Sequence, residues 1–251
     1  MIYFNDVHIL AYLLIAILGI VVGEFVNWMN YRFPEYKRIF STEIFKEYKM
    51  KKIKPNFVLM IVTAIIYVVL LYVLGIHSTF MANLTLIKCI VLTPMLLSAF
   101  CVDYKLQIIP NRLNLTIFET GLVFTFLYGI TNINLAINMI LGMLAGAGIF
   151  LVITLLGGLI AGKEAMGFGD VKLMGALGLY FGLTGIVSVS LIAFLIGAII
   201  SIILLITKIR KTDEYIPFGP FIVISSFIVM IVPFNTILQV LLKIFTLGMY
   251  N

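Results

Sequence analysis

The chain has 251 residues and a formal net charge of +6, with 63% hydrophobic and only 11% charged residues. Soluble domains run near 45–50% apolar and about 25% charged, so a globule of this size could not hide so much apolar surface. A mean hydropathy of +1.18 therefore excludes a soluble enzyme, a disordered chain and a secreted disulfide scaffold. One spanning helix needs about 20 apolar residues, which leaves room for roughly eight. The expected fold class is an all-α polytopic membrane bundle of about eight transmembrane helices, in one membrane-embedded domain over residues 1–251.

Apolar runs bounded by charged or turn residues predict spans at 8–29, 57–75, 84–102, 113–130 and 135–161. The stretch 171–207 is too long for one span and is expected to divide near Thr184 and Gly185. The last run covers 217–234, and a further apolar helix from about 237 to the end either crosses the bilayer or lies at its surface. Asp6 and no basic residue precede the first run, so the N-terminus reads as a retained helix and not a cleaved signal peptide.

Basic residues orient the spans. The loop 30–56 holds eight (Arg32, Lys37, Arg38, Lys46, Lys49, Lys51, Lys52 and Lys54). Lys105 and Arg112 follow the third span, Lys163 and Lys172 the fifth, and Lys208, Arg210 and Lys211 the seventh, making fifteen of the 17. Alternate loops are basic, which puts the N-terminus outside and those four loops in the cytoplasm. Segment 31–55 carries a net +5 after Glu35, Glu43 and Glu47 are counted. In this setting the positive charge points to anionic lipid headgroups, at about 1 kcal/mol per basic residue near the surface, and not to nucleic acid. Cys89 and Cys101 lie in apolar runs, and His8 and His77 have no ligand-like neighbours. No metal site is expected.

Intramembrane carboxylates are costly unless they have a use or a partner. Asp103 closes the third span, and Asp170 opens the sixth directly after Gly167-Phe168-Gly169. Both fall at the cytoplasmic edge by the topology above. Asp170 has a bland explanation as a helix N-cap. Asp103 is harder to excuse, because a negative charge at a helix C-terminus opposes the macrodipole; Lys105 is the nearest compensating cation. Two carboxylates held close cannot both ionise. The ionised one can take a proton from water while the neutral one polarises a peptide carbonyl. That is the chemistry of aspartyl peptide hydrolysis at a membrane edge, and it requires no metal.

Four motifs in order then carry a resemblance. Ala165-Met166-Gly167-Phe168-Gly169-Asp170-Val171-Lys172-Leu173 resembles the GxGD motif of the type IV prepilin peptidases, which are intramembrane aspartyl proteases. Asp103 with the downstream Ile109-Pro110-Asn111-Arg112-Leu113 is similar to that family's first aspartate and its I-P-[ND]-x-L stretch. Gly19, Gly23-Glu24-Phe25-Val26-Asn27 and Arg32-Phe33-Pro34 resemble its N-terminal segment, and Pro217-Phe218-Gly219-Pro220-Phe221 its C-terminal turn. The resemblance implies cleavage of the basic leader of prepilins or pseudopilins on the cytoplasmic side of the cell (inner) membrane, after a Gly. It makes Asp103 and Asp170 the catalytic pair. Gly167, Gly169, Lys172, Pro110 and Asn111 become motif-supporting residues, and Glu24, Asn27, Arg32, Pro217 and Gly219 candidates for the substrate groove.

Departures from the family pattern are informative. Bifunctional members carry paired CxxC motifs that bind zinc in the loop after the first span, and they N-methylate the product with S-adenosylmethionine. Here 31–55 has no Cys, so zinc is not expected, and whether methylation is retained stays open. Glu24 stands where a Ser is usual and could pair with Arg32 or face the groove.

Glu119 lies about 10 Å into the fourth span at 1.5 Å per residue, where a carboxyl is expected in the bundle interior with a structural role. Lys172 could contact lipid phosphate or act on Asp170. Gly142 and Gly146, Gly158 and Gly162, and Gly178 and Gly182 are spaced for close helix packing. The competing function, a proton- or cation-coupled transporter, would call for an inverted repeat and acids near the midplane. Neither is seen in the sequence.

Overall fold

The computed structural model describes residues 3–5, 7–33, 50, 53–161, 166–207, 216–232, 236, 237 and 239. Most of the basic loop 30–56, Pro34, Lys163, the trio Lys208, Arg210 and Lys211, and the helix expected after 237 lie outside these residues. The chain forms two compact units, residues 1–105 and 106–251.

The first unit opens with an antiparallel hairpin of β1 (Tyr3–Phe4) and β2 (Val7–His8), turned by Asn5 at a φ of 52°. His8 then caps the next helix, its Nδ1 accepting the Leu10 N–H at 3.2 Å. Helices α1 (Ile9–Arg32), α2 (Phe57–Leu74) and α3 (Phe80–Leu106) follow. Gly19 and Gly23 set the α1–α2 crossing: a Cβ at Gly19 would stand 2.5 Å from the Ala64 Cα, and one at Gly23 2.6 Å from the Met60 Cα. Backbone meets backbone there, which is how apolar helices attract one another when lipid is as apolar as they are.

Pro94 lies inside α3 and has no N–H to give the Ile90 carbonyl four residues back. The Tyr67 hydroxyl on α2 donates to that carbonyl instead, at 2.9 Å. Ser98 donates to Asn30 Oδ1 at 2.7 Å, joining α3 to α1.

The second unit holds α4 (Asn111–Thr131), α5 (Ile133–Ala161), α6 (Phe168–Ile206) and α7 (Gly219–Ile231). Gly142, Gly146, Gly178 and Gly182 pack closely as expected, and Gly162 lies outside the described residues. A Cβ at Gly142 would sit 2.5 Å from the Gly182 carbonyl carbon, and the backbones at Gly142 and Gly178 are in direct contact. The 39-residue α6 breaks at Gly182, at φ 67° and ψ −175°. That conformation is open to glycine alone, so the division falls two residues before the Thr184–Gly185 position. Asn138 Oδ1 accepts the Leu183 N–H just past the break, at 3.3 Å. At α7, Phe218 packs on Phe150, Phe194 and Phe221, with ring centroids 5.2–5.9 Å apart.

Among the described residues, six helices are long and apolar enough to cross a membrane, and α7, with 13 residues, is shorter. Counting α6 as two segments and adding α7 brings the number close to the expected eight. Large apolar side chains are exposed along these helices, such as Phe126 at 70% and Leu159 at 81%, a distribution that requires lipid around them. The protein is a multi-pass membrane protein.

Candidate active site

The Gly-Phe-Gly-Asp turn begins α6. Gly167 is the N-cap residue, at φ −67° and ψ 138°, and Asp170 stands in the first turn, its N–H donating to the Gly167 carbonyl at 3.0 Å. The bland explanation of Asp170 as a cap therefore fails, because Gly167 holds that position. The Asp170 side chain is 3% exposed.

Three contacts join this turn to the start of α4. A Cβ at Gly169 would lie 3.3 Å from the Ile109 Cβ, so the absent side chain lets the two segments approach. Asn114 Nδ2 donates to the Gly169 carbonyl at 3.0 Å. Lys172 Nζ donates to Asn111 Oδ1 at 2.8 Å and stands 5.7 Å from the Phe168 ring centroid. Pro110 is buried as the N-cap residue of α4, its carbonyl accepting the Leu113 and Asn114 N–H groups at 3.0 and 3.2 Å. Pro110, Asn111, Gly167, Gly169, Asp170 and Lys172 thus gather where α4 and α6 begin. Beside them runs a cleft of about 470 Å³ between α4, α5 and α6. Leu115, Phe118, Met143 and Ala147 make it apolar, and Asn111, Asn114 and Lys172 are the polar groups in its lining.

The remaining expected residues are placed as follows. Asp103 lies in the last turn of α3 and is 3% exposed, whereas Lys105, two positions on, is exposed. Gln107, at φ 55°, ends that helix. Glu24 is half-buried: Oε1 accepts from Asn27 Nδ2 and Oε2 from the Asn56 N–H, both at 3.1 Å. Asn27 also donates to the Lys54 carbonyl at 2.9 Å. Glu24 and Asn27 together tie α1 to the chain entering α2. Arg32 is buried, its guanidinium carbon 4.4 Å from the Trp28 ring centroid. Pro217 and Gly219 are buried in the turn that seats Phe218.

Glu119 departs from expectation. It is exposed, because the buried positions of α4 are Leu113, Asn114, Ile117, Gly121, Phe124, Thr125 and Tyr128, and residue 119 faces the other way. The sequence reading missed Asn114. A polar residue within an apolar run, three positions after Asn111, was the signal that could have found it. Among the described residues, no three His, Cys, Asp or Glu side chains gather as a metal site would need.

Comparison with known proteins now bears on this site. The match to the type IV leader peptidase family runs over residues 90–202. Over this stretch the chain is similar to the type IV leader peptidase family. It contains both Asp103 and Asp170, whereas Glu24, Asn27, Arg32, Pro217 and Gly219 fall outside it. A prepilin leader peptidase/N-methyltransferase of Aeromonas hydrophila is 30% identical over 145 residues, 58% of this chain and 49% of that protein. One from Xanthomonas campestris pv. campestris is 35% identical over 141 residues, 56% of this chain and 48% of its own length. The Escherichia coli (strain K12) protein of the same name is 32% identical over 127 residues, 51% of this chain and 55% of its own. The chain spans about half the length of the curated relatives it matches. No solved structure gives a significant match.

Proposed function

We propose that this chain is an aspartic-type endopeptidase of the cell membrane that removes the leader of type IV prepilins or pseudopilins on the cytoplasmic side, with Asp103 and Asp170 as its catalytic pair. The observation that carries this reading is the burial of both aspartates at helix ends inside the one stretch that matches the leader peptidase family. The same match gives no support to a transporter.

In this mechanism the ionised carboxylate removes a proton from water as the oxygen attacks the scissile carbonyl carbon. The protonated carboxyl hydrogen-bonds to the carbonyl oxygen and stabilises the charge that develops there. Collapse of the tetrahedral intermediate breaks the C–N bond, and the leaving amine takes a proton from the acid. Burial strengthens each of these electrostatic interactions relative to water. The apolar cleft beside Asp170 offers room for the apolar segment that follows the leader.

Methylation of the product is a separate matter. The relatives are named N-methyltransferases as well as peptidases, but among the described residues lining the cleft beside Asp170 there is no carboxylate to bind the ribose hydroxyls or sulfonium of S-adenosylmethionine. No methyl-transfer step is assigned to it. Incubating the purified protein with a type IV prepilin in liposomes, then reading the product N-terminus by mass spectrometry, tests cleavage and methylation together. A cut after the leader's terminal Gly is expected, and an intact prepilin would refute the proposal.

A further inference from the structure

The peptide unit between Gly169 and Asp170 is held on both sides. Its N–H donates to the Gly167 carbonyl at 3.0 Å, and its carbonyl accepts from Asn114 Nδ2 at 3.0 Å. A peptide unit is planar, so fixing both of its polar groups fixes the direction in which the Asp170 Cα–Cβ bond leaves the chain. The first bond is local to the turn and would form wherever α6 started. The second reaches across 55 residues to α4, and of the two it is the one that refers the peptide unit to another helix.

Asn114 is 4% exposed, and its own Oδ1 is buried without a hydrogen-bond partner. A buried acceptor left unsatisfied is destabilising. Leucine would fill the same volume in an apolar helix without that penalty, so packing alone does not account for an amide at this position. The donor half of the side chain does. Asn111 acts one turn earlier on the same helix but through the long, exposed side chain of Lys172, which defines backbone direction far less. The Gly169–Ile109 approach sets distance, and Asn114 sets orientation.

We infer that Asn114 is the positioning residue of Asp170: by donating to the Gly169 carbonyl it aims the carboxyl at the reacting atoms. This rests on the proposal that Asp170 is catalytic. The test measures kcat and KM for cleavage of a purified type IV prepilin by wild type, Asn114→Leu, Asn114→Ala, Asn114→Gln and Asp170→Asn, each first checked for membrane accumulation and unfolding temperature. A misplacement of about 1 Å costs on the order of a hundredfold in rate. Asn114→Leu and Asn114→Ala should therefore lose about ten- to a hundredfold in kcat with KM within about twofold of wild type. Asn114→Gln, which keeps the donor, should recover part of the loss. Wild-type kcat in a folded Leu or Ala variant overturns the inference, as does a loss confined to KM. Failure of both variants to fold would make Asn114 a residue of stability alone and overturn it too. Cleavage by Asp170→Asn would instead overturn the catalytic pair, a distinct result from active Asn114 variants beside an inactive Asp170→Asn.

Discussion

Lys172 donates to Asn111 across 2.8 Å, bringing together residues 61 apart in the chain. One belongs to the I-P-N-x-L stretch and the other follows the GxGD turn, so the two sequence motifs are neighbours in space. The pair is exposed, and a charge-assisted hydrogen bond at a wet edge is worth about 1 kcal/mol or less. Asn111→Leu and Lys172→Met should each lower stability by no more than about that amount. The double variant should lose less than the sum, which thermal unfolding in one detergent can measure as a coupling energy.

A larger effect is expected at Tyr67. Its hydroxyl serves the Ile90 carbonyl that Pro94 leaves without a helical donor. Tyr67→Phe should cost about 1–3 kcal/mol, the penalty for an unsatisfied buried carbonyl. Pro94→Ala restores an N–H to the helix, so Tyr67→Phe in that background should cost markedly less. Equal costs in the two backgrounds would show that the hydroxyl is not compensating for the proline.

The α5–α6 crossing makes a contrast within one helix. A Cβ at Gly142 would stand 2.5 Å from the Gly182 backbone, whereas one at Gly148 would meet nothing within 4 Å. Gly142→Ala should force the helices apart and lower the unfolding temperature sharply. Gly148→Ala should be neutral or stabilising by up to about 1 kcal/mol, the gain in helix propensity. Unfolding temperatures of the two variants, measured side by side, check both signs.

Much of this was legible in the sequence, and the exceptions have physical reasons. Hydropathy located the long helices, because apolar run length is what crossing a bilayer demands. The Gly-Phe-Gly-Asp turn and the close packing at Gly142, Gly146, Gly178 and Gly182 could be read from residue type and spacing, whereas the approach of Gly19 and Gly23 to Ala64 and Met60 could not. Which face of each helix is buried could not be read. A helix in lipid is apolar all round and shows no stripe, so Glu119 was assigned to an interior that α4 presents with Asn114, Ile117 and Gly121 instead. The same loss of periodicity hid Asn114. The α6 break at Gly182 depends on a positive φ and on Asn138 from another helix, neither of which run length reports. The compensation of Pro94 by Tyr67 spans 23 residues to Ile90 and leaves no local trace.

The proposed catalytic pair is tested by two conservative substitutions. Asp103→Asn and Asp170→Asn keep size and hydrogen-bonding capacity but can neither ionise nor act as acid. With a general acid or base contributing about 10²–10⁴-fold, each should reduce cleavage of a type IV prepilin by at least that factor while leaving the unfolding temperature within a few degrees of wild type. Mass spectrometry of the prepilin after incubation with each purified variant in liposomes is the most direct measurement. Wild-type protein that cuts after the leader's Gly, beside two folded variants that leave the substrate intact, is the predicted result. Substantial cleavage by both folded variants would contradict it.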